Sequence, residues 1–208
     1  HGRGLDALIP WLEYARDLGA SGLLLGPIFE SATHGYDTLD HMHIDVRLGG
    51  DAAFDRLITA CRDMGLQVIL DGVFNHVSRN HPAVQASLDE AAGRLDPADN
   101  PWHGLVRTHV GDNGEPTLDV FEGHDDLVAL DHSSDKTVDY VARVMNYWLD
   151  RGAAGWRLDA AYAVPSVFWA RVLPQVKATH PDSWVFGEVI HGDYPRIVEE
   201  STMDSVTQ

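Results

Sequence analysis

Three short apolar runs in this chain, VILD, GWRLD and the FGEV stretch, place carboxylic acids at Asp71, Asp159 and Glu188. An acid where a strand ends can act on whatever sits at the edge of a sheet. Arg157 and Asp159 are two apart, so on a strand they share one face, and a guanidinium beside a carboxylate favours the charged acid. Asp159 is therefore expected to stay ionised at neutral pH, as a nucleophile must. Glu188 follows Val185 and Phe186, whose apolar surroundings, with a second carboxylate nearby, are expected to raise its pKa and keep it protonated, the state of a general acid. Two carboxyl groups in complementary states about 5 Å apart are what retaining glycoside hydrolysis uses. Taken singly, Arg-x-Asp is an ordinary strand ion pair and a rim glutamate an ordinary structural partner.

The elements that must position these acids follow a repeating grammar. Leu5, Leu8, Ile9, Leu12 and Ala15 keep a helical period that ends at Gly19, and LLLGPI then reads as a buried strand. Asp51 is placed to cap a second helix carrying Phe54, Leu57, Ile58, Cys61 and Met64 on one face, followed by Gly65 and the strand VILD. Val138, Val141, Val144, Met145, Trp148 and Leu149 mark a third helix that stops near Gly152, before GWRLD; WVFGEV is a fourth strand. Helices alternating with nearly continuous apolar strands predict an α/β fold with a parallel sheet. No glycine-rich phosphate cradle opens a helix, and the acids fall at strand ends, so a TIM (β/α)8-type barrel is favoured over an open doubly wound sheet.

The interval from Gly65 to Gly152 is nearly twice that from Gly19 to Gly65, which requires an insertion. Residues 77–130, with Pro82, Pro97, Pro101 and Pro116 and no long amphipathic period, are expected to form an irregular excursion after the third strand. Residues 1–76 and 131–208 are then the flanking barrel segments.

The net charge of −17 argues against a nucleic-acid partner, because a phosphate backbone would be repelled. No apolar run is long enough to span a membrane, and HGRGLDALIP lacks the layout of a signal peptide. The single cysteine, Cys61, lies on an apolar helical face and reads as a buried structural thiol.

Longer motifs carry a resemblance. DGVFNH (Asp71 to His76), GWRLDAA (Gly155 to Ala161) and FGEV (Phe186 to Val189) resemble, in the same order, three conserved regions of the α-amylase family. HGYDTLDHMHID is similar to that family's tyrosine-bearing loop, and LVALDHSSDKTVDYV to the segment leading out of its inserted B domain. The resemblance implies retaining hydrolysis of α-linked oligosaccharides or polysaccharides, with Asp159 as nucleophile, Glu188 as acid/base and Arg157 holding Asp159. It also implies that His76 donates to a sugar hydroxyl, that the Tyr36 ring lies against the sugar, and that Asp71 supports the site through hydrogen bonds. Transfer of a glucosyl unit, or isomerisation of the trehalose or sucrose type, would use the same intermediate.

Many members of that family carry Lys-His shortly after the nucleophile, in a segment used for substrate contact and calcium. Here Ala160, Ala161, Tyr162 and Ala163 follow Asp159, which argues against calcium. No cofactor or metal is assigned, and Asn75, at a position that often ligates calcium, is read equally well as a hydrogen-bonding residue. The resemblance covers about strands two to six of the barrel. It implies that the third acidic residue lies beyond Gln208, that the partner of these segments is the remainder of a longer chain, and that the segment alone is poorly stable and inactive.

Two other readings compete. His41-x-His43 could be a ligand pair in a metal-dependent barrel hydrolase, although no HExxH or further strand-end histidine completes a site. A non-catalytic barrel relative would be expected to have lost the reacting acids, all of which stand in register here. Trp102, Trp184 and Tyr194 are candidate sugar platforms, although such residues are more often core or surface packing.

Overall fold

The computed structural model describes residues 4–111 and 114–208. The first three residues of the opening segment and two residues of the excursion lie outside that description. In chain order the strands are β1 (Gly22–Leu24), β2 (Phe29–Ser31), β3 (Thr38–Ile44), β4 (Gln67–Gly72), β5 (His76–Ser78), β6 (Thr108–Val110), β7 (Pro116–Leu118), β8 (Val120–Phe121), β9 (His124–Ala129), β10 (Gly155–Leu158), β11 (Trp184–Glu188) and β12 (Ser205–Thr207). The helices are α1 (Leu12–Asp17), α2 (Gly50–Asp63), α3 (Pro82–Ala91), α4 (Asp135–Asp150), α5 (Ser166–Thr179) and α6 (Tyr194–Ser201).

Strands β1, β4, β10, β11 and β12 form one five-stranded sheet in that order, with every pairing parallel. Each strand lies beside the one before it in the chain. A doubly wound sheet reverses its order at a switch point, whereas this one winds in a single direction, as a (β/α)8 barrel does, and forms an incomplete barrel. The three glycines of the sequence repeat, Gly19, Gly65 and Gly152, all have positive φ. In each case the following N–H reaches back five residues, from Ala20 to Ala15, Leu66 to Cys61 and Ala153 to Trp148, closing the helix so that a strand can start.

Burial explains the pattern. The α4 residues Val138, Val141, Val144, Met145, Trp148 and Leu149 are all buried, and Ser134 caps the helix by accepting from the Lys136 N–H. Trp148 packs on Phe29 and Phe54 at ring separations of 5.2 and 5.0 Å and donates its indole N–H to the His41 carbonyl at 2.7 Å. On β10, Trp156 and Leu158 are fully buried under the helices, while Arg157 faces the other side of the sheet. Cys61 is buried and unpaired in α2.

Several local expectations are corrected. The opening helix is a 3-10 turn over Leu5–Trp11 before α1; Pro10 lies inside it, and in an α-helix its ring would clash with the carbonyl four residues back. Asp51 does not cap α2, whose N-cap is Gly49; its carboxylate accepts instead from the Ile44 N–H at 2.8 Å and from Arg151 at 3.3 Å. The excursion is less irregular than its composition suggests. It contains α3, capped by the His81 ring accepting from the Ala83 N–H, with a three-stranded sheet β5-β9-β8 and a two-stranded pair β6-β7. Helix α3 escapes the pattern because its buried face is made of the small residues Ala83, Val84 and Ser87. Among the described residues no helix is long and apolar enough to cross a membrane.

Candidate active site

The ends of β4, β10 and β11 bring the sequence-selected charges onto a single guanidinium. Register places Arg157 opposite Asp71 on β4 and opposite Phe186 on β11. Arg157 donates from Nη1 to Asp71 Oδ1 at 2.7 Å and to Asp159 Oδ1 at 2.8 Å, and its Nη2 pairs with Glu188 Oε1 at 2.8 Å. Three acids from three adjacent strands therefore share one cation. Arg157 keeps only 13% of its side-chain surface exposed, so the pairing takes place largely out of water.

Tyr36 and His76 join the same cluster. The Tyr36 hydroxyl lies 3.5 Å from Asp71 Oδ2, and the Tyr36 carbonyl accepts from His76 Nε2 at 3.0 Å. That fixes the tautomer: Nε2 carries the proton, and Nδ1 accepts from the Asn75 amide at 3.1 Å. Burial pushes the His76 pKa down to about 4, so the ring is neutral at physiological pH. Because its N–H is already engaged with Tyr36, donation to a sugar requires that bond to be shared or exchanged.

The electrostatics differ from the sequence expectation. Burial raises Asp159 above the usual aspartate range, with the Glu188 charge adding to it and Arg157 opposing it. Burial likewise raises Asp71, to about 6, against the pull of Arg157. Glu188 does not have the apolar surroundings expected of it: besides Arg157, its Oε2 accepts from the Ala160 N–H at 3.0 Å. Each Glu188 oxygen thus accepts from one donor, Oε1 from Arg157 and Oε2 from the Ala160 N–H, and keeps a further lone pair. Ala160, which makes this contact, sits at φ 45°, a left-handed conformation that costs about 1 kcal/mol or more for a residue with a Cβ.

Residues that the sequence did not single out line the same site. Phe121, at the end of β8, stacks on the His76 ring at 4.8 Å with only 19° between the planes. Tyr162, three residues after Asp159, donates to Glu122 Oε1 at 3.0 Å and meets the His191 ring edge-on at 5.3 Å. The Tyr162 pKa rises to about 12 through burial together with Glu122, Glu188 and Asp159, which places it within electrostatic reach of both strand-end acids. No local pattern marks these contacts, because each joins segments far apart in sequence.

Of the candidate platforms, two stand elsewhere, while Tyr194 stands at the Glu188 end of the sheet, hydrogen-bonded to the residue after Thr207, the register partner of Glu188. Trp102 packs edge-on against His81 at 5.1 Å, Trp184 begins β11 at the end away from Glu188, and the Tyr194 hydroxyl accepts from Gln208 at 2.6 Å. His41 is buried, with Nδ1 at 3.0 Å from the Tyr140 hydroxyl and Nε2 at 2.9 Å from the Val73 carbonyl, so neither nitrogen is free to bind a metal. His43 points away and pairs with Asp40 at 2.8 Å. Asn75 spends its amide N–H on His76, and the described residues hold no cluster of three or more Asp, Glu, His or Cys side chains suited to a metal ion.

A parallel sheet wound in one direction, with acids gathered at its strand ends, defines the class, and comparison with known proteins gives the family. The family described as alpha amylase, catalytic domain, matches residues 3–203, and the chain belongs to it. It is 30% identical over 196 residues to the maltogenic alpha-amylase of Bacillus acidopullulyticus, covering 93% of this chain and 33% of that protein. It is 32% identical over 197 residues to a cyclomaltodextrinase of Geobacillus thermopakistaniensis, covering 93% and 33% respectively. Among solved structures, Eubacterium rectale Amy13B superposes with a TM-score of 0.85 at 27% identity, over 98% of this chain and 44% of the other. The chain thus spans about a third of the length of the curated relatives it matches.

Proposed function

We propose that the protein containing this chain cleaves α-glycosidic bonds in α-glucans or related oligosaccharides, with retention of configuration and through a covalent glycosyl-enzyme intermediate. The observation that carries the reading is the convergence of Asp159 and Glu188 on one guanidinium, which brings two carboxyl groups from adjacent strand ends within reach of a single glycosidic bond, the arrangement that a nucleophile and an acid/base require. Relatives named maltogenic alpha-amylase and cyclomaltodextrinase support the substrate class.

In this mechanism Asp159 attacks the anomeric carbon while Glu188 gives its proton to the departing glycosidic oxygen. The C–O bond breaks as the aspartyl ester forms. Glu188 then takes a proton from water, and the resulting hydroxide equivalent displaces Asp159 and restores both acids. Arg157 orients Asp159 and offsets the charge that builds as the ester is cleaved, and Asp71 holds Arg157 in place. Tyr36 offers its ring to the flat face of the sugar, and His76 a polar N–H to a hydroxyl. A substrate entering between Arg157 and Glu188 would displace water and one donor, freeing a Glu188 oxygen to carry the proton.

The test is sugar release from soluble starch, maltotriose, sucrose and trehalose by the complete protein, beside Asp159→Asn. Cleavage of at least one sugar, abolished by the substitution, is expected. A fully active Asp159→Asn variant, or a wild type inert on every sugar, would leave the fold without this chemistry.

A further inference from the structure

The contacts around the acid cluster close into a ring. From Tyr162 the chain of contacts runs through its hydrogen bond to Glu122 and along one peptide to Phe121. It continues across the stacked rings to His76, through the His76 N–H to the Tyr36 carbonyl, and from the Tyr36 hydroxyl to Asp71. Asp71 then pairs with Arg157, which pairs with Asp159, three residues before Tyr162. The link from Tyr162 to Glu122 is where the β8–β9 hairpin is fastened to the loop after β10.

The turn that presents Glu122 shows why that residue stands there. Phe121 pairs with His124, leaving Glu122 and Gly123 as a two-residue hairpin loop with φ of 49° and 79°. Such a loop needs positive φ at both positions and is best made by Asn-Gly or Gly-Gly. Glutamate is a poor choice for folding that turn, yet it places a carboxylate that accepts from the Tyr162 hydroxyl. Among the described residues only three non-glycines have positive φ, and two of them, Ala160 and Glu122, stand at this junction.

We infer that the Tyr162–Glu122 hydrogen bond is a positioning contact that pins the β8–β9 hairpin over the acid cluster and, through Phe121, holds His76 where it meets the sugar. This role rests on the glycosidase reading. Neither residue touches the reacting atoms; both act through His76. The bond lies at the exposed rim, so it can be removed without disturbing the core.

The experiment compares Tyr162→Phe, Glu122→Gln, Glu122→Asn and the double variant Tyr162→Phe/Glu122→Asn in the complete protein, by steady-state kinetics and by hydrogen exchange over residues 120–129. Tyr162→Phe should lower kcat about tenfold with little change in KM, the scale of one lost hydrogen bond to a charged group, and speed exchange in the hairpin. Glu122→Gln keeps the acceptor oxygen and should stay near wild type. Glu122→Asn suits the turn better but cannot reach Tyr162, so it should match Tyr162→Phe in kcat while holding or raising the melting temperature. The double variant should be no worse than either single one. Unchanged exchange in Tyr162→Phe, full activity in Glu122→Asn, or multiplicative losses in the double variant would overturn the inference. An inert wild type would remove the glycosidase reading, whereas an active wild type with an unaltered Tyr162→Phe would remove only this one.

Discussion

The five-stranded parallel sheet and the excursion between β4 and α4 meet at one site but hold their side chains by different means. On the sheet, backbone register fixes Arg157 against Asp71, and fully buried Trp156 and Leu158 behind it leave the strand nowhere to shift. In the excursion, β8 has two residues and β6 and β7 have three each, and the tip of the β8–β9 hairpin is exposed. Its contact with the site is made by the Phe121 ring and the Glu122 carboxylate. Groups that react need rigid support, whereas groups that shape a pocket can sit on weakly stabilised elements that open at low cost. Substitutions on the sheet should therefore cost either chemistry or the fold, and substitutions in the excursion should tune.

The largest effect is expected at Glu188. On an unactivated oligosaccharide, Glu188→Gln should lower kcat by about 10³-fold, within the range that general acid catalysis supplies. On an aryl glycoside with a good leaving group, formation of the intermediate needs no proton, so a pre-steady-state burst should persist while its decay slows. Equal loss in both phases on both substrates would show that Glu188 only orients, and would break the division of roles between the strand-end acids.

Arg157→Leu tests the support rather than the chemistry. Removing the one cation leaves Asp71, Asp159 and Glu188 facing one another with little solvent, a change expected to cost about 3 to 5 kcal/mol in urea denaturation. A loss below about 1 kcal/mol would mean that the acids relieve themselves by protonation.

That relief has a pH signature. Asp71 titrates at about 6 in the folded protein against an ordinary 3.8, so the native state binds the extra proton between those values. A raised carboxylate pKa contributes stability that is present below 3.8 and lost as pH rises through 6, at most about 3 kcal/mol. Denaturation midpoints should fall over that window for the wild type and stay flatter for Asp71→Asn. Asp159 is raised as well, so the acid limb of kcat/KM should lie above the ordinary aspartate range. A limb at or below that range would show that Arg157 outweighs burial.

The same division separates what could be read in the sequence from what could not. An apolar run ending in an acid is local information, as is an i, i+2 pair on a strand, and so the cluster of Asp71, Arg157, Asp159 and Glu188 was legible, along with the helices closed by Gly19, Gly65 and Gly152. Helix α5 is not legible, because Pro174 in its interior breaks the pattern, and Asp51 has the residue type of a cap yet ties β3 to Arg151. The environment of Glu188 is not legible, because its second donor, the Ala160 N–H, belongs to a residue whose left-handed conformation an alanine does not announce. Phe121 and Tyr162 were invisible because their partners lie on other segments. Resemblance supplied Tyr36 and His76, and geometry then brought them beside the acids.

Phe121→Ala should have the smallest effect on the fold and decides whether the contrast between the two regions holds. The ring is half-buried and rests on His76, so its loss should cost about 1 kcal/mol of stability, the worth of one stacked pair. His76 would keep its hydrogen bonds to Tyr36 and Asn75 but lose the ring that fixes its plane, so substrate turnover should fall by more than the stability change suggests. If denaturation instead shows a loss comparable to that of Arg157→Leu, the hairpin is part of the cooperative core, and its role in tuning the site fails. If neither stability nor turnover changes, the stacked pair is incidental, and the excursion shapes the site through its backbone alone.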